Sequence, residues 1–309
     1  MDRTCLTVAS AAPRVSERAR VWRPFPEQGA DILCVEDGLG DVAPRIHRRF
    51  GITLVRSPAF VRVESSSGLV ADQNRILLIP QLQLYALRAQ SAMAQGPVTL
   101  LLKASELEGL GVPDQAALVS DAQCGAQLAA LGAGLQRTGG SVESVPISRG
   151  VLERLLARST PLGCARSGRA TRLVAVKEYL RAHLDEPVQT AALAAISGLT
   201  ECHLIRSFHL EFGLPPHAYH LRLRLAVAAE LLSNGLSVST VAYECGFADQ
   251  SHLSRKFKEV YGLTPAAWGM AAGPLESSIS SRPGVKQGLR RAVLHGRRPQ
   301  WCSASRQED

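Results

Sequence analysis

Two segments near the C-terminal end of the chain carry arginine, histidine and aromatic residues at matching positions. A run of fourteen residues that begins at His203 is repeated 49 residues later by a run that begins at His252. The runs share His, Leu, Arg, Phe, Gly, Leu and Pro at seven positions, and the shared arginines are Arg206 and Arg255. A guanidinium group can donate two hydrogen bonds to one guanine, which adds roughly 1–3 kcal/mol of discrimination between bases. The duplication therefore indicates two copies of a unit suited to reading nucleic acid.

The residues before each copy predict how the arginines are held. Each copy follows a short apolar stretch, a glycine and a polar residue. Gly198 and Gly246 can take the positive φ angle of a tight turn between helices. Thr200 and Asp249 are predicted N-caps of the helices that follow, and a glycine and then a proline end each of these helices. A helix, a glycine turn and a second helix form a helix-turn-helix unit, whose second helix lies in the DNA major groove.

Each predicted second helix has a core face and an outer face. Leu204 and Phe208 lie four residues apart, as do Leu253 and Phe257, so each pair shares a face and is expected in the core. The outward-facing residues are Cys202, Ile205, Arg206, His209, Gln250, Ser251, Ser254, Arg255 and Lys258. His203 and His252 recur without a matching cluster of acids or cysteines, which favours packing or capping over catalysis or metal binding.

Two further helices complete a predicted all-α domain. Leucines at near-helical spacing predict one long helix over 217–233 that joins the two units. Another apolar stripe predicts a helix over 172–184. Residues 172–268 are therefore predicted to form a seven-helix domain with two reading units.

These residues resemble the DNA-binding domain of the AraC/XylS family of bacterial transcription regulators. The resemblance covers 172–268 and is most specific in 221–226, 241–247, 251–257 and 262–265. It implies that the two units enter neighbouring major-groove segments on one face of DNA. The implied DNA-contacting residues are Thr200, Cys202, Ile205, Arg206, Gln250, Ser251, Ser254, Arg255, Lys256 and Lys258. Because Cys202 and Ile205 are poor hydrogen-bond donors, the first helix is expected to read mainly thymine methyl groups and DNA shape.

The net charge of +8 fits a nucleic-acid partner, but it does not reside in this domain. Residues 172–270 contain nine Lys or Arg and nine Asp or Glu, so their charges cancel. DNA binding must therefore rest on where the cations stand. They are expected on the recognition helices (Arg206, Arg255, Lys256 and Lys258) and on the connecting helix (Arg222 and Arg224). Few phosphates would be neutralised, so modest non-specific affinity is expected.

Cysteine usage and hydropathy bear on the cellular location. The seven cysteines are dispersed, without a Cys-x-x-Cys pair, which favours a reducing cytosol over a disulfide framework. No apolar run approaches the length of a membrane span. The apolar stretch within 1–12 is short and interrupted by polar residues, so a signal peptide is not expected. A cytoplasmic bacterial protein without a membrane partner is the expectation.

The N-terminal half predicts β structure. Apolar residues alternate with polar ones at 61–64 and 82–86, short apolar runs occur at 52–55, 76–79 and 98–102, and turn signals separate them. An antiparallel sandwich or barrel is expected over 20–102. Residues 45–50, Gly68 and 76–80 resemble the cupin-type effector domain of the same regulator family. The predicted fold class is thus α+β, with an N-terminal antiparallel cupin-like β-barrel, then helices, then the all-α domain.

A barrel of this kind could hold either a metal or a small ligand. Cupin enzymes bind a metal through clustered histidines, but His47 is the only histidine in residues 1–171. One imidazole cannot build such a site, so no metal and no cofactor are predicted. A barrel that encloses one small ligand is favoured. The candidate polar groups are His47, Arg48, Arg49, Arg62 and Tyr85, with solvation or local pairing as the alternative role for each.

Apolar periodicity and composition predict the structure of the remaining segments. Apolar stripes predict helices over 114–137 and 148–158, so 103–158 is predicted to be helical. The family resemblance implies that these helices pair two protomers into a homodimer, and packing back on the barrel is the alternative. Residues 1–19 are predicted to be a flexible arm, 159–171 a linker and 269–309 a disordered basic tail.

These features lead to one main functional hypothesis and two alternatives. The main hypothesis is a sequence-specific transcription regulator, not an enzyme, that responds to a small-molecule effector. The family resemblance implies activation of transcription, and repression stays open as the alternative outcome. Its partners would be double-stranded promoter DNA, RNA polymerase, the effector and a second copy of the chain. The alternatives are a cupin-type isomerase or oxygenase with a DNA-binding appendage, and a structural DNA binder that needs no ligand.

Overall fold

The computed structural model describes residues 19–25, 30–35, 41–66, 68–91, 94–138, 148–162, 168–184 and 186–270. Apart from residues 19, 269 and 270, the predicted arm 1–19 and tail 269–309 lie outside the described residues. Residues 163–167 of the predicted linker do so as well.

The described N-terminal part contains strands that form two antiparallel sheets. In chain order they are β1 (Ala19–Phe25), β2 (Ala30–Val35), β3 (Asp41–Arg45), β4 (Phe50–Val55), β5 (Ala59–Val63), β6 (Leu69–Ala71), β7 (Arg75–Ile79), β8 (Tyr85–Ala89), β9 (Val98–Leu102), β10 (Ala117–Val119) and β11 (Thr160–Pro161). The larger sheet has the order β1-β2-β9-β4-β7-β10-β11, and the smaller has the order β3-β8-β5-β6.

The middle of the larger sheet is covered on both faces. Every residue of β4 and β9 is buried, which explains their continuous apolar sequences. The two strands pair in register from Phe50 with Leu102 to Leu54 with Val98. Polar side chains at this depth need partners, and Thr53 meets Thr99 through a 3.0 Å hydrogen bond between their hydroxyl groups. The other face of the larger sheet shares one hydrophobic cluster with the smaller sheet.

The α+β class with an antiparallel N-terminal region is confirmed, with one difference in detail. No ladder among the described strands joins the two sheets, which therefore form an open sandwich and not a closed barrel.

The region expected to be helical over 103–158 also contributes a strand. Residues 117–119 form β10, which pairs with β7, and helix α1 (Ala122–Thr138) begins only after it. The prediction of helix from 114 was wrong because residues 117–119 form a short continuous apolar run, and such a run suits a buried strand as well as a helix. Helix α2 (Arg149–Ala157) matches the second predicted helix. The predicted linker 159–171 supplies β11 and the start of the next helix.

Helices α1 and α2 lie against the outer face of the larger sheet. They bury Cys124, Leu128, Leu152 and Leu155 in a cluster with residues of β4 and β9. The apolar faces of α1 and α2 thus pack against the β sheet of the same protomer, which is the alternative to dimer formation given above.

Seven helices make up the described C-terminal part, as predicted. They are α3 (Gly168–Ala182), α4 (Thr190–Ser197), α5 (Glu201–Phe212), α6 (Pro216–Ser233), α7 (Val238–Glu244), α8 (Gln250–Tyr261) and α9 (Pro265–Met270). Helix α6 is the predicted connector, and buried residues lie all around it because other elements pack on every side. No helix in the described ranges is both long and apolar enough to cross a membrane.

Candidate nucleic-acid interface

The first predicted reading unit is built from α4 and α5. Gly198 ends α4 with a φ of 66°, the left-handed conformation that the turn requires. Thr200 then caps α5, since its hydroxyl oxygen accepts a hydrogen bond from the backbone N–H of His203 at 3.4 Å. Both local predictions are confirmed.

The second unit repeats this construction in α7 and α8. Gly246 again has a φ of 66°, and Asp249 caps α8. The carboxylate of Asp249 accepts from the backbone N–H of His252 at 2.7 Å, a shorter hydrogen bond than its counterpart in the first unit. A carboxylate also interacts favourably with the positive end of the helix dipole.

Matching residues anchor α5 and α8 in the core. Leu204, Phe208, Leu253 and Phe257 are fully buried, as predicted from their spacing. Phe208 contacts Phe212 and Tyr219, and Phe257 contacts Tyr261 and Trp268. Since the buried face of each helix is fixed, the opposite face must point away from the core.

The residues expected to contact DNA lie on these outward faces. Thr200, Cys202, Ile205, Arg206, Gln250, Ser251, Arg255 and Lys258 are exposed, and Ser254 and Lys256 are half-buried. Lys256 forms an ion pair with Glu259 at 2.9 Å along α8, so part of its charge is neutralised within the helix. Arg206 and Arg255 occupy equivalent exposed positions in the two units.

The arginines of the connecting helix face the interior, in contrast to the prediction. Arg222 donates from Nε to the carbonyl of Pro44 at 2.7 Å. Arg224 donates to the carbonyl of Cys245 at 2.6 Å and stacks over the Phe247 ring. Both arginines are half-buried, so part of each guanidinium is used in contacts within the fold.

The recurring histidines have local roles. Each supplies the backbone N–H that the N-cap accepts, and the half-buried ring of His252 packs edge-on against Phe247 at 5.5 Å between centroids. In the described ranges, no group of three or more His, Cys, Asp or Glu residues could hold a metal ion.

The candidate ligand residues of the N-terminal half meet the helical domain. His47 is buried, its Nε2 and the hydroxyl of Tyr85 share a 3.0 Å hydrogen bond, and its ring contacts that of Tyr261. Burial, together with Arg45 and Arg49, lowers the pKa of His47 to about 3, so its imidazole is neutral. Arg62 lies next to Gly213, the residue that ends α5. The space lined by His47, Arg48 and Arg49 has a volume of only about 10 Å³.

An ion-pair network that the sequence did not suggest joins the two halves at Arg49. Its guanidinium lies 2.7 Å from Asp31 of β2 and 2.8 Å from Glu230 of α6. Asp31 also accepts a hydrogen bond from the Ser233 hydroxyl at 3.3 Å. Arg49 and Asp31 are almost fully buried. Arg49 and Glu230 are 181 positions apart in sequence, and Asp31 and Ser233 are 202 positions apart, so no local pattern could reveal these contacts.

A second polar junction forms around Glu64, which follows β5. Its carboxylate pairs with Lys177 at 2.8 Å and accepts from the Tyr219 hydroxyl at 3.2 Å. Nearby, Arg181 donates to the carbonyl of Leu82 at 2.9 Å. These contacts fix α3 and α6 against the smaller sheet.

Comparison with known proteins identifies the helical part. The family model described as a helix-turn-helix domain matches residues 193–270. The "Probable transcriptional regulator LumQ" of Photobacterium leiognathi is 30% identical over 118 residues, which cover 38% of this chain and 48% of that protein. The "HTH-type transcriptional activator RhaS" of Escherichia coli is 34% identical over 112 residues, which cover 36% of this chain and 40% of that protein. The chain thus spans less than half the length of these two relatives.

Among solved structures, one similar chain is a probable AraC family transcriptional regulator from Rhodopseudomonas palustris. It is 28% identical, with a TM-score of 0.32, and the match covers 34% of this chain and 99% of that one.

Proposed function

Residues 193–270 are a helix-turn-helix domain of the AraC/XylS type, and from this premise we propose that the chain is a sequence-specific DNA-binding transcription regulator. The observation that carries the proposal is the equivalent placement of Arg206 and Arg255. Each stands on the exposed face of a capped helix whose opposite face is locked in the core. A recognition helix needs this arrangement, because its side chains must reach base edges while the helix stays fixed.

The second part of the proposal is that a small-molecule effector controls DNA binding. The C-terminal ends of both recognition helices touch the N-terminal half. The backbone N–H of Ser65 donates to the carbonyl of Glu211 at 2.8 Å, and the Tyr261 hydroxyl donates to the carbonyl of Ile46 at 2.9 Å. A ligand that favours one arrangement of these contacts would change how the helices meet DNA.

The proposed partners are double-stranded promoter DNA, RNA polymerase, the effector and a second copy of the chain. We propose activation as the outcome, in line with the name of the Escherichia coli relative. A cytoplasmic location and the absence of catalysis belong to the same proposal, since the relatives are named as transcription regulators.

Band-shift titration of the full chain on promoter fragments tests DNA binding. We expect Arg255→Ala to lose roughly 1–3 kcal/mol of binding free energy at its preferred site and to relax the base preference there. Arg149→Ala is the matched control, because Arg149 is an exposed arginine on α2 that pairs with Glu153. Equal affinity and equal base preference for wild type and Arg255→Ala would contradict the role of Arg255.

A further inference from the structure

A cavity of about 430 Å³ lies between the N-terminal half and the helical domain. Its wall includes residues after β5, residues before β10, one side of α3 and the C-terminal end of α5. The volume falls within the range of small-molecule sites in proteins, roughly 300–1,000 Å³. None of the five candidate residues of the N-terminal half, His47, Arg48, Arg49, Arg62 and Tyr85, is part of this wall.

Two side chains in the wall carry buried polar atoms without a hydrogen-bond partner. Gln83 is 9% exposed, and its Oε1 has no donor. Arg181 donates to the Leu82 carbonyl and to Glu178 through its terminal nitrogens and also interacts with the Tyr219 hydroxyl, while its Nε has no hydrogen-bond partner of good geometry. Buried polar groups are nearly always paired, so an exception in a cavity wall marks a place where a bound molecule can complete the pairing.

The charge of the wall is unbalanced toward carboxylates. Lys177 is paired with Glu64 at 2.8 Å, and Arg181 is paired with Glu178 at 3.0 Å. The wall also contains Asp114 and Glu211, and neither has an ion-pair partner within the part of the chain that the structure describes. Once these ion pairs are counted, the negative charges of Asp114 and Glu211 remain in the wall, together with the unpaired Oε1 acceptor of Gln83.

We propose that this cavity binds a small cationic amine that also carries a hydrogen-bond acceptor. The ammonium group would face Glu211 and Asp114, an N–H group would donate to Gln83, and the acceptor would take the Nε–H of Arg181. A carboxylic acid is disfavoured because it would meet the unpaired carboxylates. The role of this molecule as the effector rests on the proposed function, since Glu211 and Phe212 end the first recognition helix.

Calorimetric titration of the purified full chain with L-lysinamide is the direct test. This probe has two amines and an amide carbonyl. L-norleucinamide lacks the side-chain amine, and hexanamide lacks both amines. We expect L-lysinamide to bind at millimolar concentrations or below, L-norleucinamide to bind about tenfold more weakly, and hexanamide not to bind, because each charge-assisted hydrogen bond is lost in turn.

Two variants locate the binding site. Glu211→Gln and Gln83→Leu should each weaken L-lysinamide binding by about tenfold. Their matched controls, Glu106→Gln and Gln127→Leu, change exposed residues that are not part of the cavity wall and should leave binding unchanged. Melting curves without ligand verify that each variant is folded. The proposal is overturned by no L-lysinamide binding, by equal binding of hexanamide, or by full affinity in both Glu211→Gln and Gln83→Leu.

A parallel band shift without ligand separates this inference from the proposed function. Binding of L-lysinamide by a chain that fails to bind DNA would leave the cavity proposal standing and remove the regulator. DNA binding by a chain that ignores L-lysinamide would do the opposite.

Discussion

The two helix-turn-helix units have the same construction but present different chemistry to DNA. Both turn at a glycine with a φ of 66°, and both bury a leucine and a phenylalanine four residues apart. On the outer face, however, Cys202 and Ile205 of the first unit correspond to Ser251 and Ser254 of the second. The matching positions are those that the fold requires, and the differing ones are free to meet a partner. The two units therefore share a scaffold but should divide the reading of a DNA site unequally.

The units also differ in how they join the N-terminal half. The second unit is held by a side chain, since the Tyr261 hydroxyl reaches the carbonyl of Ile46. The first is held through the backbone carbonyl of Glu211, a residue that is also part of the wall of the 430 Å³ cavity. A ligand in that cavity would thus contact the first unit directly and the second unit only indirectly.

The scaffold equivalence predicts matched losses of stability. Phe208→Ala and Phe257→Ala should each lower the free energy of unfolding by about 3–5 kcal/mol, because both rings are fully buried in aromatic clusters. Chemical denaturation of the full chain measures both values. Leu210→Ala, at a side chain that is 66% exposed, should change little. A near-zero loss for either phenylalanine would show that its unit is not packed as described.

The chemical difference predicts unequal losses of DNA binding. Gln250 stands at the position that Glu201 occupies in the first unit, and both are exposed. Gln250→Ala should lose roughly 1–3 kcal/mol if the amide reads adenine, whereas Glu201→Ala should lose nothing or bind more tightly because a negative charge near phosphates is removed. Band shifts at fixed salt compare the two. A larger loss for Glu201→Ala would reverse the proposed division of labour.

The recognition helices could be predicted from sequence because their determinants are local. A cap, a turn glycine and an apolar pair lie within one short segment, so Thr200, Gly198 and Phe208 signal their roles without knowledge of the rest of the fold. The open form of the sandwich and the formation of β10 depend on pairing between strands that are distant in sequence. The three apolar residues of β10 do not by themselves determine that pairing.

The interface between the halves could not be predicted for the same physical reason. The sequence predicts Arg49 as a candidate polar group of a ligand-binding barrel. Its partners Asp31 and Glu230 come from a strand and a distant helix. Gln83 and Arg181 likewise gain meaning only when the smaller sheet and α3 enclose a cavity. The residues proposed to read DNA thus have a sequence signature, whereas those proposed to control DNA binding are brought together only by the fold.

Two buried histidines predict that the folding stability of the chain depends on pH. The pKa of His47, which contacts Tyr261 of the second unit, is lowered to about 3 by burial and by Arg45 and Arg49. The pKa of His220, which donates to the His183 carbonyl, is lowered to about 4, mainly by burial. Their ordinary value is 6.5, so below that pH the unfolded chain takes up protons that the folded chain does not.

Stability should therefore be complete above pH 6.5 and fall as the pH drops toward 4, by at most about 1.4 kcal/mol per pH unit for each histidine. His47→Gln and His220→Gln should each flatten this slope in urea denaturation at several pH values. An unchanged slope in both variants would mean that neither imidazole is held neutral in the fold.

The smallest expected difference in stability between the two units concerns the residues that cap α5 and α8. Asp249→Ala should cost about 1 kcal/mol of stability, and Thr200→Ala less, because the Asp249 hydrogen bond is 2.7 Å long and that of Thr200 is 3.4 Å. Thr200→Asp should then stabilise the first unit, since a carboxylate also favours the helix N-terminus. The same change places a negative charge beside the outer face of α5, so it should weaken DNA binding at low salt. If Thr200→Asp raised both the stability and the DNA affinity, the N-terminal end of α5 would lie away from the phosphates. The first unit would then need a different docking geometry from the second.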